Sequence, residues 1–385
     1  MAEITPIKKE QLRRKRRRRL IWLIVLTLLL IGLLILYLNR DALQNFQVEP
    51  LVEQMQSSAA SDQFPITLPS SNTYQMLPVS GKLVLLTDTH LYVYNNKGKL
   101  LTSLQHGMSR PRCVVNDSRA AVFERGGKQI DLLTLNTLKS STHATDNPIF
   151  DVALSDDAKL CVIENSARFV SELIVYNSKM EEIYRWSSQN LLLGATFNGN
   201  NDLAAFSASS SSGQMQSEIF LLNLNKEQAV SAGVFSDNLL LSIDAKKDGH
   251  IVAVGDRAAV SLDRQGKQVA TYAYPDEGVS YFDNSAEQLL LVLGDFTKYK
   301  SNQIVVTNVL LEPVGTFTSA SKVLDWTVGD KSAAVLFANQ LVQFAEDGKT
   351  TLVNTDYGYA EVALLSGRLL LRNAREIQEG LPASS

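Results

Sequence analysis

The chain has 385 residues, a formal net charge of −3 and two cysteines, but the charge is unevenly spread. Nine Lys or Arg and two acids, Glu3 and Glu10, precede residue 20, so residues 39–385 carry 28 basic and 38 acidic side chains, a net of −10. So acidic a surface argues against nucleic acid as a partner and against close adhesion to an anionic membrane.

Residues 1–19 form a basic tail, and residues 20–38 are apolar with no charge, Thr27 and Gly32 being the least hydrophobic members. As a helix this run would be about 28 Å long, close to the ~30 Å hydrocarbon core of a bilayer. Arg19, Trp22 and Tyr37 stand where interfacial anchors belong. The excess of Lys and Arg before the span predicts a cytoplasmic N-terminus, with everything after residue 38 extracytoplasmic. The run is longer than the apolar core of a secretory signal and no small-x-small site follows it, which favours an uncleaved signal-anchor over a cleaved signal peptide. The expected location is the cell membrane, crossed once, with the bilayer as partner through residues 20–38.

Residues 39–63 are polar, rich in Gln, Ser and Ala, and read as a juxtamembrane linker, with a short helix over 50–56 as the alternative. Cys113 and Cys161 each lie in an apolar strand-like context and read as small buried hydrophobes, an oxidised pair being the alternative. So few cysteines in an exported domain fit a bacterial envelope protein better than a secreted eukaryotic one.

From residue 64 onward the chain repeats. A strand ends in Asn or Asp, polar residues follow, often with Gly-Lys, and another strand begins. Examples are Val93-Tyr94-Asn95 before Gly98-Lys99, Leu262-Asp263 before Gly266-Lys267, and Ala345-Glu346-Asp347-Gly348-Lys349. Leu135-Asn136, Tyr176-Asn177, Leu224-Asn225 and Thr307-Asn308 mark the same place without the Gly. Successive markers lie 41, 41, 48, 38, 45 and 37 residues apart. Asn and Asp start turns by bonding nearby backbone, and Gly supplies the positive φ that a tight hairpin needs. Units of about 40 residues with four short strands cannot bury both faces alone and predict radial packing as propeller blades. A two-sheet sandwich is the alternative, although so long a regular array exceeds a usual sandwich. Seven hairpins are visible, followed by three strand-like runs at 360–365, 368–372 and 375–378. An unclaimed strand at 64–68 would complete that last unit and close the ring. The expected fold is therefore an all-β, eight-bladed β-propeller over residues 64–385, with seven blades as the alternative, preceded by one transmembrane helix.

These blades resemble quinoprotein-type (PQQ-like) β-propellers, whose repeats carry an Asp-x-x-x-Gly-Lys turn; Asp263-Arg264-Gln265-Gly266-Lys267 comes nearest, one residue shorter. The whole chain resembles an uncharacterised family of Gram-positive bacterial single-pass membrane proteins with such an ectodomain. The closing Trp of the quinoprotein repeat is replaced by Leu100, Val269 and Leu352, and no Trp-Asp dipeptide of the WD40 type occurs.

No catalytic, cofactor or metal constellation stands out. His90, His106, His143 and His250 are far apart, lack metal-site spacing and are assigned to loops or hairpin ends. Asp156-Asp157, and Asp244 with Asp248, lack the alternating oxygen ligands of a calcium loop and read as turn residues. One positional signal remains. The second and third strands of most repeats join tightly, as at Asp88-Thr89-His90, but three joins are long: 165–172, 207–217 and 295–302. They share one face of a propeller with the 105–112 connection, and binding surfaces concentrate on such loops. Arg110, Arg112, Arg168, Phe169, Met215, Phe296, Lys298 and Tyr299 are the candidate partner-binding residues. The expected role is non-enzymatic, a tethered module or scaffold binding an envelope protein or cell-wall component. The alternative is a ligand-binding sensor, or an enzyme acting on glycan or peptide in the channel.

Overall fold

A computed structural model of the chain describes residues 63–68, 72–211, 213–275, 278–294, 302–355 and 358–382. The expected membrane span, with Arg19, Trp22 and Tyr37, lies outside the described residues, and among the described residues no helix is long and apolar enough to cross a membrane. Residues 66–382 form eight four-stranded antiparallel sheets. Each sheet is a blade with strands A to D, numbered from the innermost outward. Blades 1 to 7 cover residues 73–105, 111–144, 149–188, 191–235, 240–273, 279–319 and 323–354.

Blade 8 takes three strands from the C-terminal end, Glu361–Leu365, Arg368–Arg372 and Glu376–Pro382. Its D strand is Ile66–Thr67 from the other end of the described chain, paired as Ile66↔Ile377 and Thr67↔Glu376. The ring therefore has eight blades and closes through shared termini. That leaves no open end to the array, where an unpaired edge would invite association.

Alternation along the B strands explains the packing. In Lys82–Thr87, Leu83 and Leu85 pack against blade 8, while Val84 and Leu86 pack against blade 2. Successive strand residues point to opposite faces, and both faces here are covered, so B strands such as Leu289–Leu293 are apolar and buried throughout. Eight separate apolar clusters result, one at each blade-to-blade interface.

The A strands run round the channel, and six of the eight break register with a β-bulge, at Thr73/Gln75, Ile149/Asp151, Leu192/Gly194, Leu240/Ser242, Val279/Tyr281 and Val323/Asp325. A bulge bends the strand and frees ladder groups, and serines of the preceding blade take up two of them: Ser171 Oγ accepts from Leu192 N–H (3.1 Å) and Ser217 Oγ from Leu240 N–H (2.9 Å). In the two A strands without a bulge, a side chain from the bulged strand of the preceding blade accepts instead: Gln75 Oε1 from Cys113 N–H (2.6 Å) and an Asp325 carboxylate oxygen from Val362 N–H (2.8 Å).

The C–D turns follow the expected chemistry. Asn95, Asn177, Asp263 and Asn308 each accept two backbone N–H groups of their own turn. Two markers shift. In blade 4 the turn starts at Asn223, whose carbonyl accepts from Lys226 N–H, two residues before Asn225. In blade 2 it closes from Leu138 N–H to the Thr134 carbonyl, with Asn136 outside that bond. Both cysteines are free and buried, as small hydrophobes of blades 2 and 3.

Other expectations need correction. The join at 207–217 is not a loop. Asp202–Ser211 and Gln214–Asn223 pair from Asp202↔Asn223 to Ser211↔Gln214, so B and C of blade 4 extend into a hairpin of two ten-residue strands. Serine and glutamine hid it, because strand propensity there is low and cross-strand pairing supplies the order. His143 lies within the D strand Lys139–Ala144, edge-on to Tyr176 at 4.4 Å, not in a loop.

Candidate functional site

The antiparallel blades give the ring two faces. One carries the A–B and C–D turns, the other the B–C joins and the D–A connections between blades.

The A–B turns of all eight blades line a funnel of about 1070 Å³. Among the described residues, nine carboxylates face it, including Asp117, Asp157, Asp244, Asp283, Asp325 and Glu361, against one lysine, Lys247. Burial pushes the Asp325 carboxyl up to about 7, helped by Glu361, while the Val362 N–H and Arg372 oppose it. Burial raises Asp244 too, against the pull of Lys246. The Lys246 side chain is only 1% exposed, and its Nζ donates to Asp244 (3.1 Å) and to the carbonyls of Asn284 (2.7 Å) and Ala286 (2.6 Å), tying blade 5 to blade 6. Lys247 reaches past blade 6 to Asp330 of blade 7, 2.5 Å away, and its backbone N–H donates to Glu287. Such a lining suits positive charge. No group of three or more metal-ligating side chains forms among the described residues.

The opposite face holds those candidate binding residues that the structure describes. His106 anchors the connection from blade 1 to blade 2. Its Nε2 lies 3.1 Å from the Thr87 carbonyl and its Nδ1 accepts from Met108 N–H (3.4 Å), which sets the tautomer. The chain then turns out at Arg110, whose N–H donates to Glu124 (3.0 Å), and enters strand A of blade 2, where Arg112 is exposed. Arg125, in the B–C join of blade 2, lies across to blade 3. Its Nε donates to the Phe150 carbonyl (3.0 Å), its guanidinium sits 4.8 Å from the Phe150 ring centre, and it stands 3.8 Å from Asp151. Burial, and then repulsion from Arg112, lower the Arg125 pKa, while burial pushes Asp151 up to about 6 against both arginines.

In the B–C join of blade 3, Ser166 Oγ accepts from the Arg168 and Phe169 N–H groups, and the Arg168 guanidinium lies 5.6 Å from the Phe169 ring centre. Next to them Val170 is 44% exposed, Leu191 at the start of blade 4 is 38% exposed, and Met215 near the hairpin tip is 52% exposed. The structure thus brings Arg110 and Arg112 together on blade 2, Arg168 and Phe169 on blade 3, and Met215 on blade 4. Phe296, Lys298 and Tyr299 lie outside the described residues. Sequence reasoning missed Arg125, Phe150 and Asp151, which meet only across a blade interface. It also missed the acidic funnel, whose one sequence signal is the acid recurring at first-to-second strand turns, as at Asp117 and Asp157.

Residues 54–310 match the profile of DUF5711, a family of unknown function. The chain belongs to that family. No curated protein sequence matches this DUF5711 chain. Among solved structures it is similar to BamB from Moraxella catarrhalis, at 12% identity and a TM-score of 0.50, covering 82% of this chain and 98% of BamB. It is similar also to Hsv2p of Kluyveromyces lactis, at 12% identity and a TM-score of 0.50, covering 74% and 98% respectively. At such identities the likeness shows the fold, a β-propeller, and residue roles do not transfer from it.

Proposed function

We propose that this DUF5711 chain is a membrane-tethered extracytoplasmic propeller, with quinoprotein-type turns but no quinone chemistry, and that it works as a non-enzymatic scaffold. It grips an envelope protein or cell-wall component with the face built from B–C joins and D–A connections. The observation that carries this reading is the grouping there of Arg110, Arg112, Arg125 and Arg168 with exposed Val170, Leu191 and Met215 across three consecutive blades. Guanidinium and apolar side chains on adjoining joins of a rigid sheet framework are what a protein interface enriches. The basic flank and apolar run of residues 8–38 support the tether.

A photo-crosslinking residue placed at Met215 in native cells tests it. One or two reproducible adducts, absent when the same residue replaces Lys97 on the opposite face, are the expected result; equal labelling from both faces would sink the proposal. A thiol reagent that cannot cross membranes, applied to cells carrying the Ser103→Cys variant, tests the topology. Labelling from outside is expected, and labelling only after lysis would reverse the assignment.

The funnel favours a second reading, a ligand-binding channel, because its lining is almost wholly of one charge sign. A cationic small molecule that raises Tm, with no adduct at Met215, would shift the assignment to it.

A further inference from the structure

Three consecutive blades meet the loop face as a basic sector followed by an uncharged one. In blade 2, Arg110 and Arg112 flank Pro111 and Arg125 stands beside them; in blade 3, Arg168 lies over Phe169. Three arginines elsewhere are held by carboxylates: Arg185 by Glu172 and Glu182, Arg368 by Glu379, and Arg372 by Glu361. Arg110, Arg112 and Arg168 find no carboxylate partner among the described residues. Asp151 lies between Arg112 and Arg125 and Glu124 accepts the Arg110 N–H, so the four arginines of the two blades outnumber these two acids, in a domain whose net charge is −10. Like charges at close range cost free energy unless a counter-charge arrives.

Blade 4 then presents a different surface. Its hairpin has no charged residue from Ser207 to Ser217, and it outruns both neighbours: strand A pairs only as far as Ala208 and strand D only as far as Ser217. Past those points the outer edges of the hairpin have no strand beside them among the described residues. An extended chain can bond such edges.

Resting on the scaffold reading above, we infer that this face docks an extended polypeptide segment carrying acidic and apolar side chains. The carboxylates meet the arginines of blades 2 and 3, and the backbone or apolar side chains meet the blade 4 hairpin. The planar guanidinium matches carboxylate bidentately. Arg125 is already held by its Nε bond and its stacking on Phe150, so its remaining N–H groups are presented at little ordering cost. The interleaved Phe150, Phe169, Val170 and Leu191 favour a peptide over a uniformly charged polymer, which would leave them without a complement.

The full-length chain in detergent, titrated into fluorescent peptides of about twelve residues, tests this. The probes alternate Glu with Leu, Lys with Leu, or Glu with Ser, and inorganic polyphosphate is the competitor. The expected result is that Glu-Leu binds at least about tenfold tighter than either other peptide. The triple change Arg110→Ser, Arg112→Ser, Arg168→Ser should remove that preference with Tm unchanged, and the variant Arg110→Ser, Arg112→Lys, Arg168→Ser should restore only part of it. Equal binding of the Lys-Leu peptide overturns the inference, as does a preference that survives the triple change. Glu-Ser bound as tightly as Glu-Leu, with polyphosphate displacing both, overturns it in favour of an anionic polymer. Met215 adducts that persist in the triple variant alongside any of those results leave the scaffold reading standing without the acidic partner, whereas loss of all adducts in the unaltered chain removes the scaffold reading itself.

Discussion

Asp325 shows how the ring turns a side chain into a pH-sensitive element. Its carboxyl is raised from 3.8 to about 7, mainly by burial at the funnel wall. A group with a raised folded pKa contributes full stability below its unfolded pKa, and that contribution is lost as pH climbs through the folded value. Between about pH 4 and pH 7 the loss approaches about 4 kcal/mol. Asp325→Asn keeps an acceptor for Val362 N–H and cannot ionise. It should therefore raise stability at about pH 8 and change little near pH 4; urea unfolding at both values checks this, and equal destabilisation at both would refute it. Lys246 makes the opposite case. Lys246→Met removes a buried donor from three acceptors and leaves Asp244 unpaired, a change expected to cost about 3–5 kcal/mol, with part of the loss recovered by adding Asp244→Asn. Cys113 and Cys161 are buried, and burial pushes both thiols up, so neither is a ready thiolate. The native protein should react with a chromogenic disulfide reagent no faster than it unfolds, and a reductant should leave Tm unchanged. Cysteine burial was legible in the sequence, since each sits inside an apolar strand. The environments of Asp325 and Lys246 were not, because each depends on a neighbouring blade about 40 residues away.

Within the C–D turns, a single position does two jobs. Gly98, Gly266 and Gly348 occupy it with φ of 92°, 83° and 82°, while Leu138, Met180 and Leu311 occupy it with φ of 56°, 64° and 60°. A side chain is strained there, yet Leu311 is buried in the cluster between blades 5 and 6, and Met180 packs on that between blades 2 and 3. Packing outweighs the strain at those two places. Leu311→Ala should then cost about 2–3 kcal/mol, since it keeps the strain and loses the packing. Leu311→Gly should be no worse, the reverse of the usual order in a strand; denaturant midpoints decide it, and a clearly larger loss for Gly would contradict this account. At Gly98 a methyl group would lie 2.9 Å from the Phe64 backbone nitrogen, so Gly98→Ala should destabilise by more than about 1 kcal/mol. Sequence reasoning could find these turns wherever Asn, Asp or Gly spelled them out. It misplaced the markers of blades 2 and 4, where Thr134 and Asn223 open the turns and the dipeptide two residues on imitates them.

For the whole molecule, ring closure depends on two residues, Ile66–Thr67, against the last described strand. Ile66 is buried between blades 8 and 1. Ile66→Ala should cost about 2–4 kcal/mol, and Ile66→Asp should open the seam, giving a lower Tm and self-association through the exposed edge of Glu376–Pro382, visible by size-exclusion chromatography. An Ile66→Asp ring that stayed closed and monomeric would show that the eight apolar interfaces suffice without the shared strand. The blade period, the hairpin chemistry and the spare strand at each end could all be read from the sequence, because they reside in residues adjacent along the chain or repeated at a constant interval. That was enough to reach a propeller and to prefer eight blades. Tertiary structure alone decided that the 207–217 segment is a hairpin, that Arg125 stacks on Phe150 beside Asp151, and that nine carboxylates among the described residues share one funnel. These features join residues from different blades, and their relative placement exists only once the apolar interfaces have set each blade against the next.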